Sequence, residues 1–237
     1  MDNLAKDIAK QWGKLWVTSP NDELDMRDHK IRYKFQIFQS LLGKLPENPR
    51  ILEVGCGNGQ WLRLLKKYHP GAELYGVDIS EDAVSICKKH GIDAVFGDAR
   101  SLPLKNDFFD FVFSFGTVEH FPETKQALLE HIRILKPGGY AWIEVPNAWS
   151  LPGLHTYLGN LVHRRDPYRV MVEQGKRYSM RAIKKMAHAS PQRIFVRVQG
   201  SGDCVPYMRY FMWLDRMMPG VFRRFFGGNV GVIVGKK

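Results

Sequence analysis

From Pro49 onward the sequence alternates short β-rich apolar runs with stretches whose apolar residues recur at helical spacing. This alternation constrains the fold more than any other feature. Residues 50–55, 72–78, 93–98, 109–115 and 140–145 read as strands. Residues 60–68, 80–90 and 124–135 read as helices, the second opened by Ser80 as an N-cap with Glu81 and Asp82 behind it, the third stopped by Pro137-Gly138-Gly139. Strands that alternate with helices build βαβ units, a parallel sheet and right-handed crossovers. The expectation is a doubly wound, Rossmann-like α/β fold with helices on both faces. Residues 109–115 are apolar apart from Asp110 and Ser114, as a strand covered on both sides requires. In such sheets ligands lie beyond the carboxyl ends of the strands. Those ends are where Gly55, Asp78, Asp98 and Ser114 fall.

Three additions surround this core. Residues 1–48 read as a helical cap bearing Trp12, Trp16, Tyr33, Phe35 and Phe38, with a basic stripe of Arg27, Lys30, Arg32 and Lys34. Residues 49–237 form the main domain, with a loop-like, basic insert at about 146–177. The remainder reads as a helix at 179–189, a strand at 192–198, a second helix at about 206–226 and a last strand at 229–235. In the second helix Arg209, Arg216 and Arg223 recur on one face among aromatic and Met residues, a pattern that suits a membrane interface as well as a helix covering the sheet.

Charge is uneven. Residues 1–150 carry 19 Lys and Arg against 20 Asp and Glu, while residues 151–237 carry 16 against 4. The excess points to an anionic partner, such as a membrane surface, nucleic acid or an acidic substrate. Cys56, Cys87 and Cys204 form no C-x-x-C pair and read as free thiols of a reducing compartment. The charged start and the absence of a run approaching ~18 apolar residues give a cytoplasmic expectation, with peripheral membrane contact as an addition to it.

The strand ends carry the chemistry. Glu53-Val54-Gly55-Cys56-Gly57-Asn58-Gly59 turns tightly from strand to helix, with G-x-G-x-G spacing and not the G-x-G-x-x-G of dinucleotide sites. Asp78 lies 23 residues after Gly55, where a carboxylate can accept from ribose hydroxyls. Gly97-Asp98-Ala99 ends the third strand, and an acid there can accept from an adenine amine. Ser114-Phe115-Gly116-Thr117-Val118-Glu119-His120 follows the fourth.

Together these sites resemble the class I S-adenosylmethionine-dependent methyltransferases, of the small-molecule type that includes the ubiquinone and menaquinone methyltransferases. The resemblance runs from about Arg50 to Asn147, with a weaker echo to the C-terminus, and includes Val118-Glu119-His120 and Leu135-Lys136-Pro137-Gly138-Gly139 as its fourth- and fifth-strand motifs. It implies a seven-stranded sheet, mostly parallel, whose last strand is antiparallel and inserted before the sixth. It implies S-adenosyl-L-methionine as cofactor and S-adenosyl-L-homocysteine as product. Glu53, Gly55, Cys56 and Gly57 would hold the methionine moiety, Asp78 the ribose hydroxyls, Ile79 the adenine face, and Asp98 and Ala99 the adenine edge. Backbone near Ser114 and Phe115 would accept from the methionine ammonium.

The activated methyl asks mainly for in-line placement and exclusion of water. An oxygen or carbon acceptor also needs a base, for which His120 is the candidate, with His155, Tyr157, His163 and Tyr178 as alternatives without a motif. The fourth-strand loop lacks the Asp/Asn-Pro-Pro-Tyr of nucleic-acid amino methyltransferases, and neither paired glutamates of the protein arginine type nor a metal-ligand set stands out. A small-molecule or lipid-like acceptor is the leading expectation. The alternatives are a nucleic-acid or protein methyltransferase docking through the basic third, a nicotinamide oxidoreductase, and a cofactor-binding protein without catalysis. Acceptor identity and oligomeric state are not encoded in any motif.

Overall fold

A computed structural model of the chain describes residues 1–19, 21–201 and 228–237. Seven strands form one sheet: β1 (Arg50–Val54), β2 (Glu73–Asp78), β3 (Asp93–Phe96), β4 (Phe109–Phe115), β5 (Leu135–Pro146), β6 (Ile194–Ser201) and β7 (Asn229–Lys236). Their order is β3-β2-β1-β4-β5-β7-β6. β1 to β5 pair in parallel, and β7 runs antiparallel between β5 and β6. The expected sheet and its inserted last strand are both present. The helix expected at 206–226, with its three arginines, and Cys204 lie outside the described residues.

Side chains alternate between two apolar layers, as period-2 strands buried on both faces must. Leu52, Val54, Val112, Ile143 and Val232 face one layer, completed by α5 (Thr124–Arg133) and α8 (Met180–Ala187). Ile51, Phe111, Phe113, Trp142 and Ile233 face the other, completed by α2 (His29–Leu42) and α3 (Gln60–Tyr68). Residues 1–48 thus serve opposite faces of the sheet: α1 (Asn3–Thr18) sends Ala5 and Ile8 into the first layer, and α2 sends Phe35, Phe38 and Leu41 into the second. Phe38 meets Phe113 at 4.9 Å and Trp142 at 5.1 Å between ring centroids, edge to face, the arrangement that aromatic quadrupoles favour. α4 (Glu81–Lys89) starts as expected, the Ser80 hydroxyl accepting from the Ala83 N–H.

Two local expectations are corrected. The insert at 146–177 is not loop-like but carries α6 (Leu151–Val162) and α7 (Pro167–Gln174). Leu151, Leu154, Leu158 and Leu161 have helical spacing, and Pro152 and Pro167 sit in first turns, where the missing N–H breaks no helical bond. β5 begins at Leu135, before the Pro-Gly-Gly stop: Leu135 pairs with Phe109 and Tyr140 with Phe111, so Pro137-Gly138-Gly139 is a bulge within the strand. Asp110, the acid in an otherwise apolar strand, is satisfied by Lys136 Nζ and the Arg50 N–H.

His131 on α5 is fully buried, its Nδ1 2.7 Å from the Ala127 carbonyl, and burial pushes its pKa down to about 4. The unfolded chain binds a proton there from about pH 6.5 downward, whereas the fold does not until about 4. Stability is therefore expected to fall as pH drops through that window, and His131→Met to flatten the fall, measured by denaturant midpoints between pH 4 and 7. Phe38→Ala is expected to cost roughly 3–5 kcal/mol by urea denaturation, because it empties an enclosed aromatic contact.

Candidate active site

The first strand ends in a turn whose glycines have left-handed φ: 75° at Gly55, 53° at Gly57 and 74° at Gly59. A Cβ on Gly55 would stand 2.0 Å from Thr117 Oγ1, and one on Gly57 would stand 2.6 Å from the Trp16 ring. The glycines therefore admit neighbouring loops and helices as well as a tight turn. Asp78, at the end of β2, is buried. Its Oδ2 accepts from the Gly57 N–H and its Oδ1 from the Ser80 N–H, both at 2.9 Å. Burial raises its pKa while these backbone donors oppose the rise.

Above these turns lies a cavity of about 250 Å³. Of the residues singled out in the sequence, Glu53, Gly55, Cys56, Asp78, Ile79, Ala99, Phe115 and His120 line it. Gly57, Asp98 and Ser114 do not, although a sequence neighbour of each does. The Asp98 carboxylate instead holds Arg100 through Nε and Nη2, and Arg100 also reaches Asp2 and Glu123. These acids raise the guanidinium above its usual range. Ser114 Oγ is buried in β4 without a partner.

The N-terminal helix completes the wall. Trp12 and Trp16 stack at 6.3 Å, and Trp12 meets the His120 ring edge-on at 5.3 Å. His120 Nδ1 lies 3.1 Å from the Met171 carbonyl, which places the proton on Nδ1 and the lone pair on Nε2. Burial lowers its pKa, so the ring is neutral at pH 7. Two wall atoms, Glu53 Oε2 and Trp12 Nε1, are buried without a hydrogen-bond partner: an acceptor and a donor facing one cleft. Burial, with nearby Cys87 and Asp78, raises the Glu53 pKa strongly. Cys56 and Cys87 are buried free thiols 3.6 Å apart, and burial with the contact to Cys87 pushes the Cys56 thiol up. Among the alternatives to His120, Tyr157 and His163 are exposed, Tyr178 is buried against the Thr124 hydroxyl, and the side chain of His155 lies outside the described residues.

Sequence reasoning gave no role to the wall residues Asn58 and Thr117, which lie within the strand-end motifs, and missed Gln60 and Trp61, which follow the glycine motif, and Phe121, which follows His120. It also missed Glu144, an acid inside an apolar strand, which pairs with Lys34. That strand position was the available signal.

Residues 52–143 match the family model described as a methyltransferase domain. The fatty-acid O-methyltransferase of Mycolicibacterium smegmatis is 33% identical over 127 residues, covering 52% of this chain and 44% of that protein. The tRNA (carboxymethyluridine(34)-5-O)-methyltransferase of Arabidopsis thaliana is 35% identical over 109 residues, covering 45% of this chain and 26% of that protein. The match thus spans less than half the length of either relative. A Thermotoga maritima crystal structure titled as a SAM-dependent methyltransferase, possible histamine N-methyltransferase, superposes with a TM-score of 0.61 at 21% identity, covering 98% of each chain. Residues 52–143 thus match a methyltransferase domain, and the sheet order with the superposition shows that the chain has the fold of its methyltransferase structural neighbours.

Proposed function

We propose that the protein transfers a methyl group from S-adenosyl-L-methionine to a small-molecule or lipid-like acceptor. The observation that carries this reading is the cavity at the ends of β1, β2 and β4, walled by Asp78, Ile79 and the glycine turn, with Glu53 Oε2 and Trp12 Nε1 left unsatisfied. Those residues fit an adenosyl sulfonium. Each Asp78 oxygen accepts one backbone N–H and keeps a second lone pair for a ribose hydroxyl. Ile79 offers an apolar face to adenine. In this reading Gly97 and Ala99 present the adenine edge, since Arg100 engages the Asp98 carboxylate. Glu53 and the backbone around Gly55, Cys56 and Phe115 receive the methionine end.

The bound cofactor supplies an already activated methyl. The chain's own task is to seat the acceptor in line, exclude water and take a proton where the acceptor carries one. The neutral His120, with its lone pair on Nε2, is the proposed proton acceptor on the cavity wall. Trp12 and Trp16 exclude water from the side of α1.

A lipid-like acceptor is supported by the fatty-acid relative and by the surface of α6. Leu154, Tyr157, Leu158, Leu161 and Val162 form an exposed apolar stripe at helical spacing, continued by exposed Trp149 and followed by Arg164 and Arg165. Such a stripe with a basic end suits the surface of an anionic membrane. No helix among the described residues is long and apolar enough to cross a bilayer. The tRNA relative and the basic last third support the second reading, docking on nucleic acid, which steep loss of RNA binding with added salt would favour.

Asp78→Ala is expected to weaken S-adenosylhomocysteine binding by about 10–100-fold in calorimetry, the loss of roughly 1.5–3 kcal/mol of charge-assisted hydrogen bonding. Unchanged affinity in a folded variant contradicts the ribose role. His120→Asn is expected to lower turnover by about 10²–10⁴-fold with cofactor affinity retained. Leu158→Glu/Leu161→Glu is expected to abolish co-sedimentation with phosphatidylserine vesicles at low salt. Absence of binding by the unaltered protein removes the membrane reading.

A further inference from the structure

Phe115 and Gly116 line a second cavity, of about 190 Å³, as well as the first. Its polar wall comes from four elements: Lys34 of α2, Glu119 of the turn after β4, Glu144 of β5 and Asn229 of β7. Glu119 and Glu144 are 2% and 1% exposed. Lys34 Nζ lies 2.6 Å from Glu144 Oε2 and 4.0 Å from the centroid of the Phe115 ring, with Trp61 at 5.8 Å. A carboxylate and aromatic faces around an ammonium are the elements of a cation cage, and here the chain's own lysine occupies part of it.

Among the described residues the cage is short of positive charge: the Lys34 charge acts on Glu53 and Glu119 besides its contact with Glu144, so three buried carboxyl groups share that cation. Glu119 Oε2 and Glu144 Oε1 are buried without a hydrogen-bond partner. Unsatisfied buried carboxyl oxygens are costly, and a second cation would satisfy both. Gly175, with φ of 67°, closes the chain over Glu119: a Cβ there would stand 2.3 Å from Glu119 Cγ.

We propose that the second cavity is an acceptor subsite for a positively charged amine headgroup, held between Glu119 and Glu144. The proposal rests on the methyltransferase reading and deepens it. A carboxylate headgroup would find no cation there beyond the Lys34 already paired with Glu144, whereas a hydroxyl satisfies one oxygen at most. The groups facing Glu119 are Lys34 from α2, Glu144 from β5 and Tyr178 from the segment after α7. Burial, aided by Glu144 and opposed by Lys34 and backbone donors, pushes the Glu119 pKa up to about 8. At pH 7 Glu119 therefore holds a proton, and a cation entering beside it displaces that proton to solvent.

Octyltrimethylammonium carries no proton of its own, so any proton released on its binding comes from the protein. The full chain is saturated with S-adenosylhomocysteine and titrated calorimetrically with octyltrimethylammonium, octanol and octanoate at pH 7, in buffers of different ionisation enthalpy. The expected result is that the quaternary ammonium binds about tenfold or more tighter than octanol, with octanoate weakest and about one proton released. Glu119→Gln is expected to abolish the proton release and weaken the ammonium about tenfold, with S-adenosylhomocysteine affinity unchanged. The proposal is overturned if octanol or octanoate binds as well, if no probe binds, or if Glu119→Gln still releases the proton. It is equally overturned if Glu119→Gln weakens S-adenosylhomocysteine as much as the ammonium, since the cation served would then be the cofactor's. Failure of the unaltered chain to bind S-adenosylhomocysteine overturns the cofactor reading instead, and the same titrations on the free chain then judge the subsite.

Discussion

The site is organised around one buried carboxylate. Asp78 spans the tips of β1 and β2 by accepting from Gly57 on one side and Ser80 on the other. A left-handed glycine turn leaves backbone N–H groups pointing inward, and a buried N–H without an acceptor is expensive. Asp78 supplies the acceptor, and the Gly57 N–H in turn opposes the rise in the Asp78 pKa that burial causes. The clasp stands on the cavity wall, so the element that holds the loops together is also the one offered to a ligand.

The buried acids divide into two groups. Asp78 and Asp110 are satisfied by backbone donors or a lysine, and each closes a structural junction. Glu53, Glu119 and Glu144 each keep at least one oxygen without a hydrogen-bond partner, and all three border cavities. A fold can absorb a satisfied buried carboxylate at modest cost, whereas an incomplete one is destabilising unless a further partner completes it.

The strand tips were legible in the sequence because each carries a residue that strands otherwise avoid: Gly55, Asp78, and Asp98 beside Gly97. The sheet order followed from the βαβ alternation and the resemblance together. Three things were hidden. The helices α6 and α7 were hidden by Pro152 and Pro167, which break helices in their middle but not in a first turn, and by Gly153 and Gly159, which lower helix propensity without forbidding the helix. Asp98 looked free to read adenine, because nothing in Asp98-Ala99-Arg100 shows that Arg100 folds back onto it by three hydrogen bonds. Lys34 looked like part of an exposed basic stripe, yet it alone of that stripe is enclosed by Phe115 and Glu144, which are more than 80 residues away in the chain. Long-range pairing of this kind leaves no local signature.

The family match covers residues 52–143, which contain β2 to β4 and most of β1 and β5. Part of the walls lies outside it: Trp12, Trp16 and Lys34 come from the first 48 residues and Asn229 from β7. In the proposed function the matched segment fixes where a reactive methyl would sit, and the flanking elements would decide what approaches it. Lys34 joins the two cavities: its charge reaches Glu53 on the wall of the first and both Glu119 and Glu144 on the wall of the second. Filling either cavity with a charged group therefore alters the electrostatic environment of the other, because the same ammonium balances both.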